Sequence, residues 1–253
     1  DLLERLRRPF DALAGDLRAA IDRSHELCTS AERLLWARLS VFAGGFDLSE
    51  AEEICSDDEL PQEEILNVLA GLVHNSIVIP EGDPRAQRFR MLGLLAEYGR
   101  ERLDRLGEGT SLRRRHRDAY RRLVREGTDQ WLGPGQAEHC ELLRREHPNL
   151  REALEFSFTH PGEAEAGLDI ATALWPLWIS GSLTEGRTWL GRGLTLTSTT
   201  SPRRAEALWL DAWLAAVQGD RVAALTSVEE CCVLSSRTGD TREIATSIQI
   251  SAE

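Results

Sequence analysis

The chain has 253 residues, of which 42% are apolar, and it carries a formal net charge of −12. This length and composition predict one to about three folded domains and argue against a disordered chain. We find no signal peptide and no apolar run near the roughly 18 residues that span a membrane. Because the helical pattern is already present at the first residues, we expect the sequence to be a piece of a longer protein.

All 30 basic residues are arginine, and lysine is absent. A phosphate-binding P-loop needs a lysine to reach the β- and γ-phosphates, and Schiff-base chemistry needs a lysine amine. The composition therefore excludes both kinds of site from this chain.

The cysteines and histidines show no spacing typical of a metal site or a catalytic centre. The five cysteines form no C-x-x-C pair, and the six histidines form no H-x-x-x-H or H-E-x-x-H pair. There is no G-x-S-x-G nucleophile elbow. We therefore expect free thiols in a reducing, cytoplasmic compartment, no metal, no bound cofactor and no catalysis. The cysteines are Cys28, Cys55, Cys140, Cys231 and Cys232.

Charge is unevenly distributed along the chain. Residues 85–125 hold 13 arginines and five acidic residues, which gives this segment a net charge of +8. Residues 47–64 hold nine acidic residues and no basic one. An acidic chain is a poor candidate for binding nucleic acid unless a local basic strip overrides the total charge.

The N-terminal part predicts several short helices. Residues 2–27 follow a helical pattern with a break expected near Gly15. Thr29 and Glu32 match a capping box, and the helix they begin is expected to continue to Gly44. Further helices are predicted over residues 49–55 and 61–74.

A β-hairpin follows these helices. The β-branched residues 77–79 and the segment 88–92 predict two strands, and the Pro- and Gly-containing residues 80–84 predict the turn between them. Three helices followed by a hairpin within about 75 residues is the order of a winged helix. The helix over residues 61–74 would then be the one that enters a DNA major groove in a DNA-binding member.

The remainder predicts helices alone, over residues 94–106, 112–126, 136–145 and 149–158. A shift of 38 residues places Gly181 on Gly219 and Gly186 on Ala224. This indicates a two-helix repeat similar to tetratricopeptide (TPR) repeats, with residues 241–253 as the first helix of a third repeat. Unrelated helical hairpins remain the alternative.

Four ordered segments resemble bacterial STAND-type regulators, a family of signal-transduction ATPases that includes AfsR/SARP-like and LuxR-like transcriptional regulators. The segments are residues 17–46, 66–79, 88–103 and 144–154. The resemblance implies an upstream nucleotide-binding domain that binds ATP or ADP, a winged helix and a helical-repeat sensor.

We therefore predict a mainly α chain in four parts. Residues 1–15 would be the tail of the nucleotide-binding region, 16–106 a winged-helix domain, 107–160 a helical connector and 161–253 TPR-like repeats.

In the family, a Met-His-Asp motif after the second wing strand can place its histidine on the phosphates of ADP. The matching residues here are Met91, Leu92 and Gly93, which offer no side-chain donor or carboxylate. We expect this nucleotide sensor to be lost, and Met91 and Leu92 to pack between the wing and the next helix.

Direct DNA binding by the winged helix is expected to be unfavourable. Residues 61–75 contain no arginine, and their plausible base readers are Gln62, Asn67 and Asn75. Glu63 and Glu64 in the first turn would repel phosphate. The resemblance implies that a separate domain binds DNA and that the winged helix packs on the nucleotide-binding domain.

The basic run Arg113, Arg114, Arg115 and Arg117 is a candidate contact for an anion or an acidic protein partner. Two alternatives stay open: nucleic-acid phosphates, or a solvated helix face neutralised by acidic residues of the same chain. The aromatic residues Trp175, Trp178, Trp209 and Trp213 are candidates for a binding surface on the repeats, with burial in the repeat core as the alternative.

The function we predict is a non-catalytic regulatory and protein-interaction part of a STAND-type transcriptional regulator. It would couple the nucleotide-binding domain to repeats that bind an effector or a protein partner. One alternative is a DNA-binding winged helix with a helical dimerisation arm. The other is an interaction module of a different multidomain signalling enzyme.

Overall fold

The computed structural model describes residues 2–82, 87–129 and 135–238. These residues are mainly α-helical with one small sheet, which confirms the predicted fold class. The chain divides into two compact units, residues 1–116 and 117–253.

The first unit begins with a long helix and continues as short helices and strands. Its elements are α1 Leu2–Leu27, α2 Ser30–Leu39, β1 Phe46–Asp47, α3 Leu48–Cys55, α4 Gln62–His74, β2 Val78–Glu81, β3 Arg88–Met91 and α5 Gly93–Leu106. The helix α6 Gly109–Asp129 begins in the first unit and ends in the second.

The second unit is helical throughout its described residues. It holds the end of α6 and α7 Gln136–Arg145, α8 His147–Thr159, α9 Ala164–Ala173, α10 Trp175–Ile179, α11 Leu183–Leu196, α12 Arg204–Val217 and α13 Arg221–Thr238. Residues 241–253, predicted to begin a third repeat, lie outside the described residues.

The helix α1 runs through Gly15 without interruption, so the break predicted there is wrong. A glycine in a helix costs only about 1 kcal/mol relative to alanine, which a 26-residue helix can tolerate. Among the apolar residues that follow Gly15 in this helix, Ile21 is buried but Leu17 is 43% exposed.

Capping boxes begin two helices of the first unit. The amide of Glu32 donates to Thr29 Oγ1 at 3.2 Å, and the amide of Thr29 donates to Glu32 Oε2 at 2.7 Å. Asp47 and Glu50 form the same reciprocal pair at the start of α3. The predicted box at Thr29 is confirmed, while the one at Asp47 was not predicted.

The helix α2 ends at Leu39, five residues before the predicted end at Gly44. The amide of Ser40 bonds back to the carbonyl of Ala37. Phe42 therefore lies after the helix, where its ring stacks on that of Phe46 at a centroid distance of 4.8 Å. Because both rings are buried, the apolar pattern of the sequence continues beyond the last residue of the helix.

The sheet is antiparallel with strand order β1-β3-β2. The predicted hairpin is confirmed: Val78 pairs with Met91 and Glu81 with Arg88. The two-residue strand β1 was not predicted, and it pairs with the other edge of β3 through Phe46 opposite Phe89.

The side chain of Arg38 joins distant segments of the first unit, although it is only 1% exposed. It donates to the carbonyl of Cys55 at 2.9 Å, to both carboxylate oxygens of Asp57 at 2.8 and 2.5 Å, and to those of Glu108 at 2.9 and 3.2 Å. Burial disfavours its charged form, but the hydrogen bonds to Asp57 and Glu108 outweigh this and raise the pKa of Arg38. The hydrogen bond from Arg38 in turn holds the pKa of Asp57 below its ordinary value.

In the second unit, glycines allow turns and close helix contacts. Gly181 and Gly219 have φ values of +139° and +77° in the turns before α11 and α13, as the repeat pattern predicted. A Cβ at Gly186 would lie 2.6 Å from Cγ of Trp178, so α11 packs closely on α10. The assignment of these hairpins to TPR-like repeats stays a prediction.

We expect Arg38→Ala to lower the free energy of unfolding by about 2–4 kcal/mol. The substitution removes a buried side chain and leaves two carboxylates and a carbonyl without their donor. Urea unfolding followed by circular dichroism measures the change. The exposed Arg23→Ala should stay within about 0.5 kcal/mol of the wild type, and an equally small effect of Arg38→Ala would contradict this account.

Two glycines of α11 offer a matched pair of substitutions. Gly186→Ala should destabilise the second unit by about 1–3 kcal/mol, because the new methyl group overlaps the base of the Trp178 side chain. Gly191→Ala should stabilise it by about 0.5–1 kcal/mol, because nothing lies within 4 Å of its Cβ position and alanine is the better helix former. Thermal unfolding of both variants tests this difference, and a gain in stability from both would contradict the close contact.

Candidate functional site

The helix α4 occupies the position of the recognition helix. Its residues Ile65, Leu69 and Leu72 are buried, which leaves the opposite face in contact with solvent. Leu66 on that face is 54% exposed, and Ala70 is exposed one turn further along. The solvent face of α4 therefore has an apolar centre.

The charges around α4 do not favour contact with phosphate. Glu63 and Glu64 lie exposed in its first turn, where acidic side chains suit the helix dipole but repel a phosphate backbone. The helix contains no arginine or lysine. It therefore offers no arginine or lysine charge to a phosphate.

The arginines of the described wing strands pair with carboxylates of the same unit. Arg88 lies 3.5 Å from Glu50 and donates to the carbonyl of Gly45 at 2.6 Å. Arg90 lies 3.3 Å from Glu81, and both of these side chains are about half exposed. Both of these wing arginines are therefore partly neutralised within the protein.

The residues at the predicted sensor position have no polar side chain to offer. Met91 ends β3 opposite Val78, Leu92 is the N-cap of α5, and Gly93 has open space at its Cβ position. Leu92 is 46% exposed, so the expectation that it packs between wing and helix is wrong. Loss of nucleotide sensing here stays a prediction.

Two arginines of the basic run contact their own unit and do not form a free anion site. Arg113 donates to Asp104 at 3.1 Å. Arg115 donates to the carbonyls of Glu53 and Ser56 at 3.0 and 2.6 Å, at the C-terminal end of α3. A cation at this position satisfies carbonyls that the helix leaves unpaired.

The other two members of the run differ from each other. Arg117 is only 5% exposed, and it donates to Asp118 and Glu163 at 2.7 Å each. Its assignment as a partner contact is therefore wrong, because a buried and paired guanidinium cannot meet a partner. Arg114 is exposed and stays a candidate.

The four candidate tryptophans do not share one environment. Trp178 is completely buried, and its indole donates to the carbonyl of Ala171 at 2.8 Å, so it belongs to the core and its assignment to a surface is wrong. Trp175, Trp209 and Trp213 are partly exposed. These three remain candidates for a binding surface.

A cluster that was not predicted from the sequence surrounds Asp169 in the second unit. The Asp169 side chain is 3% exposed and is contacted by three arginines. Arg121 Nε donates to it at 2.5 Å, Arg125 donates through Nη2, and Arg203 Nε lies 2.8 Å from Oδ1. Burial opposes ionisation of Asp169, but the hydrogen bonds from Arg125 and Arg121 outweigh it and hold its pKa below the ordinary value.

The Asp169 cluster, which we define as Arg121, Arg125, Asp169, Arg203 and Glu206, joins three helices. Its members come from α6, α9 and α12, with Arg203 as the residue before α12. Arg203 Nη1 donates to Glu206 at 3.1 Å. The signal in the sequence was a carboxylate between the apolar residues Leu168 and Ile170 of α9, since a buried carboxylate requires cationic or hydrogen-bonding partners.

The described residues contain no group of three or more potential ligands placed to hold a metal ion. Within the same residues, no helix is both long enough and apolar enough to cross a membrane. Burial raises the pKa of the Cys55 thiol to about 12, so this cysteine is a poor nucleophile.

Comparison with known families identifies the first unit. Residues 29–104 match the family described as "Winged helix-turn-helix domain". This segment begins at the N-cap of α2 and ends within α5, so it includes the hairpin and the recognition helix α4. The chain therefore contains a winged helix domain.

Similar curated proteins come from mycobacteria. The chain is 29% identical over 237 residues to the Mycobacterium tuberculosis protein named "Putative HTH-type transcriptional regulator Rv0890c" and to its Mycobacterium bovis counterpart Mb0914c. That alignment covers 88% of this chain and 26% of each relative. "Uncharacterized protein Rv0894" of M. tuberculosis is 34% identical over 100 residues, which are 39% of this chain and 25% of the relative. The chain thus spans about a quarter of the length of these relatives, and no solved structure matches it significantly.

Proposed function

We propose that this chain is the winged-helix and helical-repeat part of a bacterial transcriptional regulator of the STAND type, and that it is not catalytic. The winged helix-turn-helix match and the names of the mycobacterial relatives support a role in transcription regulation. The STAND assignment rests on the ordered segments that resemble this family. These names also favour a regulator over an interaction module of another signalling enzyme.

The winged helix, in this proposal, contacts protein and does not read DNA. The observation that carries the proposal is the solvent face of α4, where Leu66 is more than half exposed and no arginine or lysine is present. Nonspecific DNA binding depends on cations that neutralise phosphates, and α4 begins with two glutamates. An exposed leucine at the centre of a helix face suits an apolar protein interface better.

The proposed protein contact is the nucleotide-binding domain of the same protein. Because Met91, Leu92 and Gly93 cannot donate to a phosphate from their side chains, the winged helix would follow the state of that domain through packing alone. ATP or ADP would be held by the neighbouring domain, and the second unit would bind an effector or a protein partner.

Direct DNA reading is the second candidate, and the winged helix-turn-helix match itself favours it. Gln62, Asn67 and Asn75 are exposed on or beside α4 and could reach base edges. In this case phosphate anchoring would have to come from outside α4.

Fluorescence anisotropy with duplex DNA separates the two candidates. We expect no binding by this chain at about 50 mM salt, where phosphate contacts are strong. Binding that weakens steeply with added salt and is reduced by Asn67→Ala would contradict the proposal. The variant Arg23→Ala serves as the control, because it removes an exposed cation of α1 and leaves α4 and the basic run of α6 unchanged.

A further inference from the structure

We propose that the Asp169 cluster binds an anion and that its ligand carries a phosphoryl group. All residues of the site lie in the second unit. The proposal therefore states what kind of effector this unit binds, and it does not depend on the partner of the winged helix. Its evidence is the set of arginine donors that Asp169 leaves unused.

The side chain of Arg121 has the most donor capacity to spare. It is 45% exposed, and its hydrogen bond to Asp169 uses Nε alone. Within the described part of the chain, neither Nη group of Arg121 meets a hydrogen-bond acceptor. An arginine fork held at one edge and open at the other can receive an oxyanion.

Arg203 provides a second open donor from a different helix. It is 42% exposed, its Nε lies against Asp169, and its Nη1 donates to Glu206. Its Nη2 finds no acceptor among the residues that the structure describes. Donors from α6 and from the start of α12 are thus held by one carboxylate on α9.

The cluster carries more positive than negative charge. Three guanidinium groups face two carboxylates, Asp169 and Glu206, which leaves an excess of one positive charge. A further carboxylate, Glu165, lies one turn before Asp169 on α9 and accepts a hydrogen bond from Ser201 at 2.5 Å. Because its negative charge repels an anion, we expect Glu165 to weaken anion binding. Removal of this charge is therefore a second test, in which the affinity for the anion should increase.

The buried Asp169 makes the site pre-organised. Because it already fixes Arg121, Arg125 and Arg203 in the folded protein, a ligand would not have to order these long side chains itself. Guanidinium groups from two helices suit a phosphoryl group, which offers three oxygens and up to two charges. A carboxylate offers two oxygens and one charge, so it would satisfy fewer of the open donors.

The surface beside the cluster could accept the organic part of the ligand. Trp209 lies one turn after Glu206 on α12 and is partly exposed. Its indole Nε1 is buried and has no hydrogen-bond partner among the described residues. Trp213 follows one turn later and is also partly exposed, so the face next to the cations offers aromatic rings.

Isothermal titration of the 253-residue chain with inorganic phosphate, at constant ionic strength, tests the proposal. We expect saturable binding that Arg121→Gln and Arg203→Gln each weaken about tenfold, the loss expected for a charge-assisted hydrogen bond. Glu165→Gln should tighten it. Circular dichroism shows whether each variant is folded, and the two arginine variants provide independent tests.

Arg192→Gln is the matched control. Arg192 is 34% exposed and pairs with Glu155 in the same unit, but it lies outside the Asp169 cluster. It should leave phosphate binding unchanged. No saturable binding to the wild type, or an equal loss in Arg192→Gln, would overturn the proposal.

Further probes define the ligand class. Phenyl phosphate should bind more tightly than inorganic phosphate if the tryptophans contact the organic part, whereas O-phosphoserine would be the tighter ligand if the source is a phosphorylated peptide. Succinate, a dicarboxylate, should bind more weakly than all three. Succinate binding as tight as phosphate binding would refute the phosphoryl assignment.

Discussion

The arrangement of the winged helix depends on the hydrogen bonds and ion pairs of the buried Arg38 guanidinium. A charge removed from water is tolerated only when good partners surround it, and Arg38 finds them at the end of α3, in the loop before α4 and in the turn before α6. Asp57, its partner in the loop, also accepts the amides of Glu59 and Leu60 at 3.0 Å each. One ionic contact in the core thus helps to set where α4 begins.

The acidic loop that contains Asp57, the partner of Arg38, also affects which ligands α4 can bind. It brings carboxylates to the N-terminal end of the helix, and the first turn of α4 adds two more. A surface with Leu66 at its centre and acidic residues at one end suits contact with protein more than contact with nucleic acid. This is the physical basis for placing a protein partner on α4.

Arginine serves mainly internal contacts in both units. Arg38, Arg113, Arg115 and Arg117 each have partners within their own unit, although the sequence alone suggested a basic surface for the last three. The Asp169 cluster differs, because Arg121 and Arg203 keep donors that meet no acceptor among the residues the structure describes. Charge in the first unit therefore orders the fold, while in the second unit it also leaves a surface able to hold an anion.

Local signals in the sequence predicted much of the fold. The capping box at Thr29, the helix over residues 136–145, the wing hairpin and the turns at Gly181 and Gly219 each depend on neighbouring residues. The burial of Arg38 could not be predicted in this way, because its partner Glu108 lies 70 residues away.

The candidate site was harder to predict than the fold. Periodicity placed Trp178 on a helix face but could not decide whether that face is buried. The Asp169 cluster depends on residues 34 to 48 positions from Asp169 along the chain, and only a carboxylate between two apolar residues of α9 indicated it. Contacts of this kind follow from how helices pack, which a single sequence does not specify.

The central claim is that α4 contacts the nucleotide-binding domain through Leu66. The most direct measurement is the affinity of this chain for the separately produced nucleotide-binding domain, compared between Leu66→Glu and Leu94→Glu. Both leucines are a little over half exposed, on α4 and α5 respectively. The account predicts that Leu66→Glu abolishes the association and Leu94→Glu preserves it. Equal affinities of the two variants, or binding that Leu94→Glu alone removes, would contradict it.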